Sequence, residues 1–235
     1  MKHSYQMRFG PRLLKNGGVE FRIWAPQAGS IQLTLNRSNP VLADMEKRED
    51  NFFEVTIPDA KVNETYHFLI DRELRVPDPA SRYQPNGVHG PSKLIDPEKF
   101  KWTDDKWYGR PFNEAVIYEL HVGTFSPEGT FQGVQEKLDY LENLGITAIE
   151  LMPLSDFPGD FNWGYDGVLP FSPARCYGTP DDLKELINEA HLRGMMVFLD
   201  VVHNHFGPDG NYMYVYANSF FSGKYKTPWG SAINF

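Results

Sequence analysis

The 235-residue sequence predicts two fold classes in tandem: a small antiparallel β-sandwich, then an α/β unit that opens either a (β/α)8 barrel or a doubly wound sheet. Three observations carry this prediction. Apolar residues recur with period two through residues 19–76. The period lengthens to that of helices after Asn113. From there, strand-like and helix-like segments follow one another in the order β-α-β-α-β.

In the first unit, Val19, Phe21 and Ile23 alternate with Glu20, Arg22 and Trp24, and Ile31, Leu33 and Leu35 alternate with Gln32 and Thr34. Phe53, Val55 and Ile57 repeat the pattern, as do Tyr66, Phe68 and Ile70. One apolar and one polar face per strand is the pattern of antiparallel sheets. The gaps at residues 25–29 and 36–40 hold the Pro, Gly and Asn that turns require. Residues 76–91 are too rich in Pro and Gly for regular structure and are expected to pack as an ordered loop. Residues 102–111 read as the bridge into the second unit.

Residues 115–120 form the first strand of that unit. Phe131, Val134, Leu138 and Leu141 then share one helical face, closed by Gly145 where a left-handed residue belongs. Residues 147–151 are the second strand. Thr179 and Pro180 supply a capping hydroxyl and a proline at the first helical position, followed by the stripe Leu183, Leu186, Ile187 and Ala190 up to Gly194. The apolar run 195–202 suits a parallel strand covered on both faces. A complete barrel takes about 250 residues, so the chain is expected to stop partway through one. The open edge of such a partial sheet is expected to favour association, as a homo-oligomer or a swapped arrangement.

Composition narrows the function classes. With 41% hydrophobic residues the chain is not disordered, and 23 Lys+Arg against 31 Asp+Glu give a net charge of −8 without any basic block. Nucleic acid and anionic membranes are therefore not expected as partners. A single cysteine, Cys176, excludes an internal disulfide framework and reads as an ordinary thiol. The N-terminus lacks the apolar core of a signal peptide, and no apolar run nears ~20 residues. A soluble, cytoplasmic protein is the expectation.

Two segments carry candidate chemistry. Asp200-Val201-Val202-His203-Asn204-His205 lies across the end of the third strand, where Asp200 interrupts an apolar run and needs a hydrogen-bonding partner. Residues at the C-terminal ends of barrel strands face the active site, so Asp200 and His205 would organise a polar substrate. The alternatives are a structural carboxylate with strand-capping histidines, or a divalent metal held by His203 and His205 with His121 nearby. The second segment, residues 156–167, combines Phe157, Phe161, Trp163 and Tyr165 with Asp160, Asn162 and Asp166. A sugar needs both components, an aromatic ring under its C–H face and side-chain partners for its hydroxyls. Tyr165 reads as a stacking platform and Trp163 as a plug, although spacing does not separate these roles. Glu119 and Glu150 end strands one and two and read as acceptors or acids.

These segments, with Trp163-Gly164-Tyr165-Asp166-Gly167 and Tyr177-Gly178-Thr179-Pro180-Asp181-Asp182, resemble the α-amylase superfamily of glycoside hydrolases. Residues 78–82, 85–91, 118–131, 204–212 and 227–235 are similar to its trehalose-releasing members, and the similarity covers residues 9–235. The resemblance implies an immunoglobulin-like sandwich over residues 1–105. It also implies the first three strands of a (β/α)8 catalytic barrel over 106–235, with the start of the loop subdomain after strand three. The substrate implied is malto-oligosyltrehalose, cut at the α-1,4 bond next to its terminal trehalose, with no cofactor. By motif, Tyr165 would stack on the sugar and His205 would hydrogen-bond it. Asp200 would hold the site from beneath, Trp163 and Asp166 would complete the substrate-binding set, and Asn204 would be structural. The family's nucleophilic aspartate, acid/base glutamate and stabilising aspartate lie in later motifs of the type G-F-R-x-D and H-D, unmatched after Val202. The nucleophile and acid/base are thus expected beyond Phe235, and this chain alone is expected not to hydrolyse glycosides. The rival readings are a glycogen branching enzyme and a non-catalytic glucan-binding fragment using Trp24, Trp102 or Trp107.

Overall fold

A computed structural model describes residues 7–235, with Lys226 by its backbone alone. Residues 1–6, on which part of the N-terminal reading rests, lie outside the described residues. The alternating strands pair as two antiparallel sheets. One sheet has the order β1-β2-β6-β5, from β1 (Arg12–Leu13), β2 (Val19–Trp24), β5 (Glu46–Lys47) and β6 (Phe52–Ile57). The other has the order β4-β3-β7-β8, from β3 (Ile31–Asn36), β4 (Val41–Asp44), β7 (Thr65–Ile70) and β8 (Leu74–Val76), with β9 (Ser92–Lys93) on β7. Val19, Phe21 and Ile23 bury their side chains with Ile31, Leu33, Leu35, Tyr66, Phe68 and Ile70 in a single core. The expected alternation fails along β6. Phe52 and Phe53 are both buried and Val55 only partly, because Phe52 on the outer face lies beneath the Arg22 guanidinium, 3.7 Å from the ring centroid. Strands β4 and β5 were not foreseen.

Residues 76–91 form the ordered loop that was expected. The Tyr66 hydroxyl donates to buried Asp78 at 2.7 Å. Buried Ser81 donates to Gln84 Oε1 at 2.9 Å, and the Gln84 amide in turn donates to the carbonyls of Gly87 and Gly90, each at 3.2 Å.

The second unit holds β10 (Ile117–Leu120), β11 (Ala148–Leu151) and β14 (Met196–Leu199), paired in parallel in that order. The single helix expected over 131–141 is two: α2 (Phe131–Gln135) and α3 (Leu138–Asn143), after the short α1 (Val122–Phe125). At the break, the Lys137 N–H bonds to the Val134 carbonyl three residues back rather than four, a tightened turn. Phe131, Val134, Leu138 and Leu141 all remain fully buried. Gly145 takes φ +88°, and the Ile146 N–H returns to the Leu141 carbonyl at 3.0 Å, a Schellman-type stop.

The antiparallel pair β12 (Ser155–Asp156) and β13 (Leu169–Pro173), the hairpin β15 (Phe221–Thr227) and β16 (Gly230–Ile233), and α5 (Met213–Tyr216) also went unforeseen. Strand β14 is not covered as its composition implied. Among the described residues no strand follows it in the sheet, and Leu199 is 52% exposed.

Helix α4 (Pro180–Leu192) starts as its sequence requires. The Thr179 hydroxyl accepts from the Asp182 N–H at 3.2 Å, and the Asp182 carboxylate accepts from the Thr179 N–H at 2.7 Å, a reciprocal capping box. Thr179→Ala is expected to cost about 1 kcal/mol, read as a lower urea midpoint with an unchanged slope. On its inner side α4 grips the inter-unit bridge. Asn188 bonds the Thr103 N–H and hydroxyl, and His191 meets buried Asp104 at 2.7 Å beneath the stacked ring of Trp107.

Candidate functional site

At the C-terminal end of the parallel sheet lies a cavity of about 1020 Å³, lined by residues 200–205, by Asn162, Trp163, Tyr165 and Asp166, and by Trp229 and Phe235. Its floor follows from strand order. The ladder of β14 continues one step past the strand, the Asp200 N–H reaching the Leu151 carbonyl at 2.9 Å. That step brings the Asp200 carboxylate beside Tyr165, whose hydroxyl donates to it at 3.4 Å. The partner that Asp200 required is therefore Tyr165.

Asn162 organises the aromatic loop. Its amide donates to Asp166 at 2.7 Å, and its Oδ1 accepts from the Gly164 N–H at 2.7 Å. Its backbone carbonyl takes His121 Nε2 at 2.7 Å. From the other side, the Arg175 guanidinium donates to Asp160 at 2.7 Å and to the Gly159 carbonyl at 3.3 Å. Tyr165 is left 41% exposed with its hydroxyl tethered and its ring toward the cavity. Partial burial raises its hydroxyl pKa, and the Asp200 carboxylate, with Glu119 and Glu150 behind it, adds to the rise. Those two glutamates are register partners on β10 and β11, and neither lines the cavity. Trp163 does not plug anything: it is 77% exposed at the cavity wall, whereas Phe157 is the aromatic that joins the core.

His205 is buried, 6% exposed, and its Nδ1 faces Asn204 Oδ1 at 2.9 Å. That contact fixes the orientation of the imidazole ring, which lines the cavity. The close approach of two loops sets this position. A Cβ on Gly207 would overlap the Asp166 carbonyl, and the Gly207 N–H bonds the Gly167 carbonyl at 3.1 Å, so only glycine lets the 203–207 segment run against the aromatic loop.

The metal reading of the histidines does not match this geometry. Residues 200–207 are not an extended strand, so His203 and His205 part, one exposed and one buried, and His121 is engaged by Asn162 and Tyr177. Among the described residues no group of three or more His, Cys, Asp or Glu is placed to hold a metal ion. Asn204 is exposed and holds the hairpin through its carbonyl, which accepts from the Ile233 N–H. Burial pushes the Cys176 thiol up to about 11, which makes it unreactive at neutral pH. None of Trp24, Trp102 and Trp107 lines the cavity; Trp102 packs on Phe100 and Trp107 on His191.

Sequence reasoning missed Trp229. It stands on the β15–β16 hairpin with its ring 5.8 Å from that of His205, 61% exposed to the cavity. The Thr227-Pro228-Trp229-Gly230 turn was its signal: an aromatic between Pro and Gly is presented at a tip rather than buried.

Residues 8–94 match the carbohydrate-binding module 48 family (isoamylase N-terminal domain), and residues 94–226 match the alpha amylase catalytic domain family. The chain is 48% identical over 230 residues to a malto-oligosyltrehalose trehalohydrolase from Saccharolobus solfataricus, a match spanning 97% of this chain and 40% of that protein. It is 40% identical over 235 residues to one from Deinococcus radiodurans, spanning all of this chain and 38% of that protein. A crystal structure of a protein described as a candidate alpha amylase from Salmonella typhimurium superposes with a TM-score of 0.93 at 41% identity, covering 97% of this chain and 39% of that one. The chain thus spans about two fifths of the length of these relatives. A sandwich joined to a parallel sheet whose C-terminal rim carries a tyrosine, an aspartate and a histidine, matched over more than half its length by one catalytic-domain family, places this chain in the alpha-amylase family.

Proposed function

We propose that this chain is part of a glycoside hydrolase that cuts the α-1,4 bond next to the terminal trehalose of malto-oligosyltrehalose, releasing trehalose. Within it, residues 106–235 supply the glucan-binding rim and residues 1–105 the sandwich that abuts it. One observation carries the reading. The cavity joins a tethered tyrosine ring, a histidine held by Asn204, and a carboxylate, in a chain 48% identical to a trehalohydrolase. In this reading Tyr165 stacks on a pyranose, His205 hydrogen-bonds a hydroxyl, Asp200 orients Tyr165 from beneath, and Trp163, Asp166 and Trp229 flank the chain of sugars. Asn204 is a support. The displacement and proton-transfer steps need a flanking carboxylate pair. Neither Glu119 nor Glu150 lines the cavity. The 235-residue chain therefore binds α-glucan and does not turn it over.

The test is a calorimetric titration with maltoheptaose and with malto-oligosyltrehalose, run beside an assay for released trehalose. Saturable binding, tighter for malto-oligosyltrehalose, with no trehalose formed is the expected result. Turnover at enzyme-like rates would refute the inactivity, and no binding to either sugar would refute the site. A branching-enzyme reading is favoured instead if the two sugars bind equally, since the chain is also 34% identical over 207 residues to a 1,4-alpha-glucan branching enzyme from Picrophilus torridus.

The exposed edge at Ile117 and Leu199 supports association of copies of the chain, which light scattering reads as a dimer or larger species. No helix among the described residues is long and apolar enough to cross a membrane. A reducing, cytoplasmic setting fits the single unpaired cysteine.

A further inference from the structure

We propose that loop 85–91 of the sandwich is a positioning element for both walls of the cavity, with His89 as its positioning residue. Its consequence for sugar binding rests on the glucan reading above. The loop is stiff before it touches anything, because the buried Gln84 amide ties the Gly87 and Gly90 carbonyls together. From this frame three successive residues reach across to the second unit.

Gly87 packs on the aromatic-loop side. A Cβ there would stand 3.2 Å from Arg175 Nε, the same guanidinium that grips Asp160 and the Gly159 carbonyl. Val88 is 2% exposed and forms a separate apolar cluster with Val168, Leu169, Phe206 and Phe221, residues that begin or end the segments lining the cavity. Gly210 (φ +88°) passes so close that a Cβ on it would lie 2.5 Å from the Val88 side chain. His89 meets the segment after β14 with both ring nitrogens. Nε2 lies 3.2 Å from Asp209, and Nδ1 lies 2.6 Å from the Tyr212 hydroxyl. The ring thus bridges the Asp209 carboxylate and the Tyr212 hydroxyl. Beyond it Tyr216 and Ala217 enter the sandwich core, and the Tyr216 carbonyl accepts from the Gln27 N–H at 3.0 Å.

The segment that carries His205 at one end is thus anchored at its other end to the sandwich. It makes no regular ladder of its own between Asp200 and Met213. Without these anchors its exchange of backbone hydrogens with water should speed up. The sandwich acts here as a brace, and the sugar contact belongs to the second unit.

Hydrogen exchange of residues 204–216, measured on the sugar-free chain, tests this directly. In His89→Ala the exchange of this segment should rise about fivefold or more, the effect of losing one or two hydrogen bonds, while the sandwich strands stay protected. Tyr212→Phe should give the same increase, the double variant should add nothing further, and His89→Gln, which keeps a donor toward Asp209, should restore part of the protection. Unchanged exchange in His89→Ala would overturn the proposal, as would an increase spread evenly over the whole chain. Maltoheptaose titration forms the second arm: a dissociation constant raised about fivefold in His89→Ala, with an unaltered melting temperature, supports positioning. Absence of binding by the unmodified chain refutes the glucan reading and leaves the exchange result to decide the brace.

Discussion

Tyr165→Ala is expected to weaken maltoheptaose binding by roughly ten- to a hundredfold, the equivalent of about 1.5–3 kcal/mol for burying a large side chain against a ligand. The ring lines the cavity and is held in place through its hydroxyl on Asp200 at 3.4 Å. A platform that is already oriented loses little conformational freedom on binding, so most of its contact survives as affinity. Folding stability should change little, since 41% of the residue is solvent-exposed and it belongs to no buried cluster. Calorimetry with thermal unfolding of the same samples checks both halves. Tyr165→Phe separates ring from hydroxyl: it keeps the stacking surface, loses the tether, and should fall between the two. Equal affinity for the unmodified chain and Tyr165→Ala would remove Tyr165 from the site.

Asp156→Asn is expected to stabilise the chain above pH 6. Asp156 is buried, its Oδ1 accepts the Arg175 N–H at 3.2 Å, and its Oδ2 has no hydrogen-bond partner among the described residues. Burial pushes this carboxyl up from 3.8 to about 6, with the Arg175 N–H and guanidinium opposing the rise. The folded chain therefore holds the proton more tightly than the unfolded chain. Its contribution is fully present below about pH 4, where both states are protonated, and is lost as pH climbs through about 6. Roughly two pK units correspond to about 2–3 kcal/mol at pH 8. Asparagine keeps the Oδ1 acceptor and carries no charge, so the variant should exceed the parent by that order at pH 8 and match it at pH 4. Asp78, also raised to about 6 by burial, titrates identically in both proteins and cancels. Urea unfolding across pH 4–8 decides the matter, and a parent more stable than the variant at pH 8 would contradict the burial argument.

The local half of the structure was legible before any coordinates. Period two marked the core residues of β2, β3 and β7, because each strand chooses its buried face by alternation alone. The Thr179–Asp182 box and Gly145 marked helix ends through bonds that span three to five residues. Asp200 stood out because a carboxylate in an apolar run demands a partner. The identity of that partner, Tyr165, lay 35 residues away and could not be read from the run itself.

The linear pattern of residues reaches the tandem of a sandwich and a β-α-β-α-β unit, and the buried faces of β2, β3 and β7. Tertiary structure alone decided the division of residues 131–143 into two helices and the exposure of Trp163 beside a buried Phe157. It alone also turned His121 toward Asn162 and brought Trp229 up to His205. The physical reason is range. Periodicity and caps act within a few residues, whereas the cavity is built by contacts such as His89 to Tyr212, 123 residues apart. The partners in such contacts are chosen by the packing of whole sheets and loops.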